Sequence, residues 1–207
     1  MNCFHDTLAD SSHIIVRQRK ELAEMFGFET RNKYEVVTPD GQVIGFAAEQ
    51  QKGVLGFVMR QVLGHWRSFD IHMFDAGRQP VGHANHPFRW IFQRLDIFDN
   101  KGKKLGALQQ RFALLHKKFD VEGPDGRLKM AVYSPLWRIW TFPFMAHGKE
   151  VARVEKKWSG LLKETFLDAD NFHISYTDPK LSRDDRLLLL AAAFFIDLQY
   201  FERKSGR

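Results

Sequence analysis

The chain has 207 residues, 44% of them hydrophobic and 27% charged, with a formal net charge of +6 and 19 phenylalanines. That balance belongs to a folded globular protein of one large or two small domains, whose basic character suits anionic partners, either phospholipid or nucleic acid. The single cysteine, Cys3, excludes an intramolecular disulfide. No stretch reaches the roughly 20 apolar residues of a membrane-spanning helix, and the opening MNCFHDTLADSSH lacks the build of a signal peptide. A cytoplasmic protein is therefore expected, peripheral at the inner membrane face if it meets a membrane at all.

Residues 1–13 read as a short tail. The stretch Gln18 to Phe26, QRKELAEMF, then reads as a short helix. From there one pattern returns: an alternating apolar segment, a turn carrying Asp or Gly, and a second alternating segment. It occurs at Tyr34 to Ala47, Phe69 to Ala84, Leu95 to Leu108, Phe119 to Val132 and Trp140 to Val154. The turn cores are Pro39-Asp40-Gly41, Asp75-Ala76-Gly77, Asn100-Lys101-Gly102, Pro124-Asp125-Gly126 and His147-Gly148, with Gly expected at each bend. Five hairpins give roughly ten strands, and Phe172 to Thr177 adds a flanking one. Repetition of this kind specifies an antiparallel barrel or sandwich.

The last segment breaks the pattern. Leu187 to Ile196 is continuously apolar and is followed by Leu198, Tyr200 and Phe201, a helix of about five turns. Asp184 and Asp185 stand at its start and Arg203 and Lys204 at its end, each matching the helix dipole. A helix apolar on all sides is surrounded by protein or lipid. Its length and Asp197 favour protein, because a carboxylate in hydrocarbon costs several kcal/mol. The helix is expected to fill the barrel, giving a single domain over 14–202 with the central helix at 183–202 and a basic tail at 203–207.

Four words in the sequence carry a resemblance. GFETRNKYE (Gly27 to Glu35), followed by DGQVIGFAAEQ, resembles the opening of the phospholipid scramblase family. WSGLLKETFLDADNF (Trp158 to Phe172) and LLLLAAAFFIDLQYFE (Leu187 to Glu202) resemble its closing region. The resemblance spans about Ile14 to Glu202 and implies a mainly β fold, a closed antiparallel Tubby-like barrel of about twelve strands around a buried hydrophobic C-terminal helix. It also implies binding of anionic phospholipid at a membrane surface, with assistance to lipid movement between leaflets. Eukaryotic members carry an acylated cysteine-rich run near the position of Pro87 to Phe98, where this chain has no cysteine. Palmitate anchoring at that place is therefore ruled out.

The family is described as binding Ca2+ through a segment matching DADNFHISYTDP, Asp168 to Pro179. Calcium takes six to eight oxygens. Here Asp168 and Asp170 occupy the first and third positions, Asp178 lies one place before the last, and Phe172, His173 and Pro179 supply no carboxylate. The competing reading is a side-chain-stabilised turn ahead of a strand. No GxSxG, Walker loop, HExxH or helix-opening GxGxxG is present, so no enzyme active site is expected.

The candidate lipid-binding residues are aromatic and basic: Arg89, Trp90 and Phe92 in FRWIFQR, Trp137 and Arg138 in SPLWRIWTFPF, and Trp66 and Arg67 in VMRQVLGHWR. Trp suits the interfacial zone of a bilayer and Arg suits phosphates. Strand alternation would turn about half of such residues inward. The alternative functions are a nucleic-acid-binding or transcription-related barrel, and a soluble barrel for a small ligand or protein partner.

Overall fold

The computed structural model describes residues 4–19, 30–50, 68–157 and 171–201. A short helix α1 (Phe4–Asp10) precedes β1 (His13–Gln18), β2 (Thr30–Val37), β3 (Val43–Gln50), β4 (Phe69–Asp75), β5 (Pro80–His86) and β6 (Arg94–Asp99). Then come β7 (Lys104–Gln110), β8 (His116–Glu122), β9 (Leu128–Pro135), β10 (Thr141–Ala146), β11 (Lys149–Lys157) and β12 (Asn171–Tyr176). Helix α2 (Arg183–Ile196) closes the chain and runs into a π-helical turn, Asp197–Phe201. Each strand pairs antiparallel with the next, and β1 pairs with β12, so the sheet closes on itself. Closure removes the unpaired edges that an open sheet would expose.

The five expected hairpins are all present, and Phe172 to Thr177 forms β12. Burial alternates along β4, β6, β10 and β12, as in Leu95 and Ile97 on β6 or Phe142 and Phe144 on β10, so alternate residues there point into the barrel. In the His147-Gly148 turn both residues have positive φ, 49° and 75°, the geometry that joins strands through two residues. At the β4–β5 turn the positive φ of 63° falls on Arg78 rather than Gly77. Asp75 explains the shift: its carbonyl accepts from Arg78 N at 3.0 Å, and its Oδ1 accepts from Gln79 N at 2.8 Å.

Helix α2 fills the barrel. Every side chain from Leu187 to Ile196 is buried against inward-facing strand residues. At Gly106 a Cβ would stand 2.2 Å from the Glu122 carbonyl oxygen and 3.1 Å from Leu188, so helix and wall approach as closely as a bare backbone permits. The helix begins with a capping box that the dipole reading passed over: Ser182 Oγ accepts from Asp185 N at 3.1 Å, and Asp185 Oδ2 accepts from Ser182 N at 3.1 Å. No helix among the described residues is long and apolar enough to cross a membrane.

The N-terminal segment departs from the expected tail. Residues 4–10 form α1, whose Phe4 and Leu8 join the core. Below it the buried Arg186 donates to the carbonyls of Leu8 (3.0 Å) and Ser11 (2.5 Å), while Arg183 pairs with Asp6. The helix expected over Gln18 to Phe26 differs at its first residue, since Gln18 ends β1, and from Lys20 onward it lies outside the described residues. Strand β1 escaped the sequence reading because no tight turn marks it: it pairs with β12 from the far end of the chain and with β2 beyond residues 19–29.

Candidate functional site

In an antiparallel barrel the connections fall alternately at the two ends. The tight turns β2–β3, β4–β5, β6–β7, β8–β9 and β10–β11 gather at one end, where α1 also lies. The β5–β6, β7–β8 and β9–β10 connections gather at the other, together with the end of α2. Among the described residues, those three connections carry ten of the twelve exposed large apolar side chains: four on 87–93 (Phe88, Trp90, Ile91, Phe92), three on 111–115 (Phe112, Leu114, Leu115) and three on 136–140 (Leu136, Trp137, Ile139). Trp90 is 62% exposed, Leu114 79% and Trp137 73%, on a protein whose own core is closely filled. A concentration of this kind at one end marks an interaction surface rather than scattered surface hydrophobics.

Charge accompanies it. Arg89 and Arg138 are exposed on the same connections, and among the described residues neither joins an ion pair. By contrast Arg94 and Arg111 are tied into a ladder along the outer wall. Arg94 bonds Glu122 at 2.9 Å and Asp96 at 3.0 Å, and Arg111 bonds Asp120 at 2.7 Å and Glu122 at 2.8 Å.

The three connections are built against one another. Leu136 N donates to Leu115 O at 3.1 Å, Gln110 N donates to Gln93 O at 2.8 Å, and Gln93 Nε2 reaches back to Arg89 O at 3.1 Å. Trp140 at the end of the third turns inward and stacks on Phe201 with centroids 5.1 Å apart, fixing the connection to the end of the central helix. Phe88 and Trp90 pack edge to face.

Beneath the rim the barrel interior turns polar. Tyr34 donates from its hydroxyl to Asp197 at 2.8 Å, and Lys156 faces the same carboxylate at 3.8 Å. Asn32 donates to Glu49 at 2.6 Å, and Gln199 meets His86 at 3.4 Å. Lys117, at the start of β8, points inward and is buried. Its Nζ donates to the carbonyls of Arg138 and Ile139, both at 2.9 Å, and lies 4.0 Å from the centroid of Phe142. Burial pushes its pKa down to about 8.

The structure thus brings Arg89, Trp90, Phe92, Trp137 and Arg138 to one end of the barrel, with their side chains exposed rather than turned into the core. Trp66 and Arg67 lie outside the described residues. The sequence reading missed Phe112, Leu114 and Leu115, which occupy the interval between two recognised hairpins. Their signal was present: RFALL, Arg111 to Leu115, carries four consecutive apolar residues without the alternation that would bury them. Lys117 was missed as well, since nothing local distinguishes it from its neighbour Lys118, which alternation turns outward.

Asp168 and Asp170 lie outside the described residues. The segment from Asn171 to Tyr176 is a regular strand of six residues, about 20 Å long, and Asp178 lies beyond its far end. There Asp178 Oδ1 accepts from Lys180 N at 2.9 Å in a local turn. Among the described residues no three His, Cys, Asp or Glu side chains are grouped to hold a metal.

The chain is similar to several known proteins. The mouse protein named phospholipid scramblase 1 is 29% identical over 95% of this chain and 63% of its own length. Human phospholipid scramblase 2 is 28% identical over 95% and 69%. The budding-yeast protein named altered inheritance rate of mitochondria protein 25 is 24% identical over 96% and 73%. A solved protein from Arabidopsis thaliana superposes over 95% of this chain and 94% of its own, at 12% identity and a TM-score of 0.48. The chain spans about two thirds of the length of the scramblases it matches. Residues 2–203 match the family model described as Scramblase, and the chain belongs to the Scramblase family.

Proposed function

We propose that the protein docks on anionic phospholipid membranes through the open rim of its barrel, at the cytoplasmic face, and assists lipid movement from there. The observation that carries this reading is the concentration of ten exposed apolar side chains on three adjoining connections, with Arg89 and Arg138 among them. Trp90 and Trp137 suit the headgroup level, where an amphipathic ring keeps one edge in water. Ile91, Phe112, Leu114 and Leu115 suit the first methylenes below it. Each basic side chain near an anionic surface contributes about 1 kcal/mol, and burial of the apolar side chains adds a part that salt does not screen. The names of the relatives, phospholipid scramblases among them, support the same reading.

The position of the apolar helix supports docking rather than crossing by a helix. Helix α2 is enclosed by the barrel, so its apolar surface is used up within the protein. A protein bound in this way loosens lipid packing where the rim side chains enter. Co-sedimentation with neutral and anionic vesicles tests the reading across a salt series. Binding that keeps a salt-resistant component supports insertion. Absence of vesicle binding, with salt-sensitive binding to nucleic acid instead, overturns it.

A further inference from the structure

We infer that Lys117 is the positioning residue of this rim: its ammonium fixes the 136–140 connection so that Trp137 and Ile139 stand out from the barrel, and membrane contact weakens when that ammonium loses its charge. The inference rests on the rim being the membrane-contacting surface.

The geometry is specific. Lys117 follows directly on the 111–115 connection, and its side chain passes inside the barrel wall to reach the next connection along. The two carbonyls it holds, Arg138 and Ile139, immediately follow Trp137. Its partner in register, Ser134, donates to Thr141 O at 2.7 Å and closes the base of the same connection. Arg138 N donates to Pro135 O at 3.0 Å within it, and Leu136 N to Leu115 O joins it to the connection from which Lys117 emerges. Two of the three rim segments are thereby one unit, and Lys117 is the charged group at their junction.

Among the described residues no carboxylate pairs with this cation. The described titratable and charged groups on the elements around it are His116, Lys118, Asp120 and Glu122 on β8, Arg111 on the preceding connection, Lys129 and Tyr133 on β9, Arg138 on the connection it holds, and Tyr200 and Asp197 on the π-helical turn. Arg111 is engaged with Asp120 and Glu122, and Asp197 with Tyr34 and Lys156. What stabilises the ammonium is two carbonyl oxygens and the face of Phe142.

A lysine with its pKa pushed down to about 8 by burial is a net cost to the fold at neutral pH. The sign is opposite to that of a stabilising ion pair. The folded chain releases this proton more readily than the unfolded one, so the cost fades as pH rises from about 8 towards the ordinary value of 10.5. An apolar side chain of similar length would remove the cost, which makes global stability a poor reason for a lysine here. Above about pH 8 the neutral amine keeps fewer donors and loses its attraction to the ring, so the connection is held less firmly.

The test uses the full chain, the Lys117→Met and Lys117→Arg variants, and mixed phosphatidylcholine–phosphatidylserine vesicles. Wild type should bind at about pH 7 and lose roughly three- to tenfold in affinity by about pH 9.5, beyond any change seen in Lys117→Met over that range. Lys117→Met should bind weakly with little dependence on pH, while its melting temperature stays level or rises. Lys117→Arg, charged throughout this range, should keep the affinity and abolish the fall. In the free protein, amide exchange across 136–140 should quicken in Lys117→Met and not in Lys117→Arg. Wild-type binding that ignores pH, or unchanged exchange in Lys117→Met, would overturn the inference while leaving the rim reading standing. Wild type that binds no vesicle at any pH overturns the rim reading itself, and the exchange measurement then still reports on the positioning role.

Discussion

Gly106→Ala is the sharpest test of how closely β7 is packed between β8 and the central helix. In a strand interior, glycine to alanine on an open face stabilises by roughly 0.5–1 kcal/mol, because alanine has less backbone freedom to lose. Here the new Cβ would stand 2.2 Å from the Glu122 carbonyl oxygen on β8 and 3.1 and 3.2 Å from the two methyls of Leu188 on α2. Ordinary contact needs about 3.5 Å, so the nearest obstacle must retreat by more than 1 Å. That obstacle is backbone within a paired strand, and it cannot swing aside as a side-chain tip would. Overpacking of this kind costs about 1–3 kcal/mol, and the upper end is expected. Urea unfolding followed by far-ultraviolet circular dichroism measures it, as a midpoint lowered by about 1 M at an m-value of 2–3 kcal/mol/M. Adding Leu188→Ala should recover none of the loss to the Glu122 backbone and should add its own cavity cost of about 2–5 kcal/mol. A neutral or stabilising Gly106→Ala would refute the packing of α2 and β8 against β7.

Other perturbations probe separate parts of the account. Tyr34→Phe removes a hydroxyl that donates to the buried Asp197, and unfolding free energy should fall by about 1–3 kcal/mol without altering vesicle binding. Asp185 is pushed up by burial, but Lys129 and Ser182 together hold its carboxyl below the ordinary value of 3.8. A depressed carboxyl contributes stability that is complete above that ordinary value and is lost as pH falls through the lower folded one. Asp185→Asn should therefore lower the melting temperature at neutral pH, and its difference from wild type should shrink in acid. Deleting residues 1–10 removes α1 from Arg186 and should lower the melting temperature while leaving rim binding in place, read by calorimetry beside co-sedimentation.

Much of the architecture was legible because it is written in local signals. Alternation around Asp-Gly and His-Gly turns marks hairpins wherever both strands lie within a few residues of the bend, and β2 to β11 satisfy that condition. The continuous apolar run from Leu187 to Ile196 announces a helix that must be enclosed, and the barrel encloses it. What stayed hidden is what depends on distant partners. Strand β1 is defined by Val16 against Phe172 and Val36, and α1 by Arg186 from the far end of the chain. The rim was half visible. FRWIFQR and LWRIW stand out by their tryptophans, whereas Phe112, Leu114 and Leu115 become part of a surface only when β7 and β8 bring them beside Leu136. Lys117 and Lys118 are adjacent and identical in kind, and alternation along β8 turns one into the barrel and the other out of it.

The measurement that tests the central claim most directly is co-sedimentation with anionic vesicles of wild type and of a variant carrying Trp90→Ala with Trp137→Ala. Both tryptophans are exposed, so the variant should unfold at the same urea concentration as wild type. The account predicts that it loses roughly ten- to a hundredfold in vesicle affinity at moderate salt, about 1–3 kcal/mol of interfacial burial, and loses it equally with calcium or chelator present. Equal binding by wild type and variant would contradict the claim that the rim is the membrane-contacting surface.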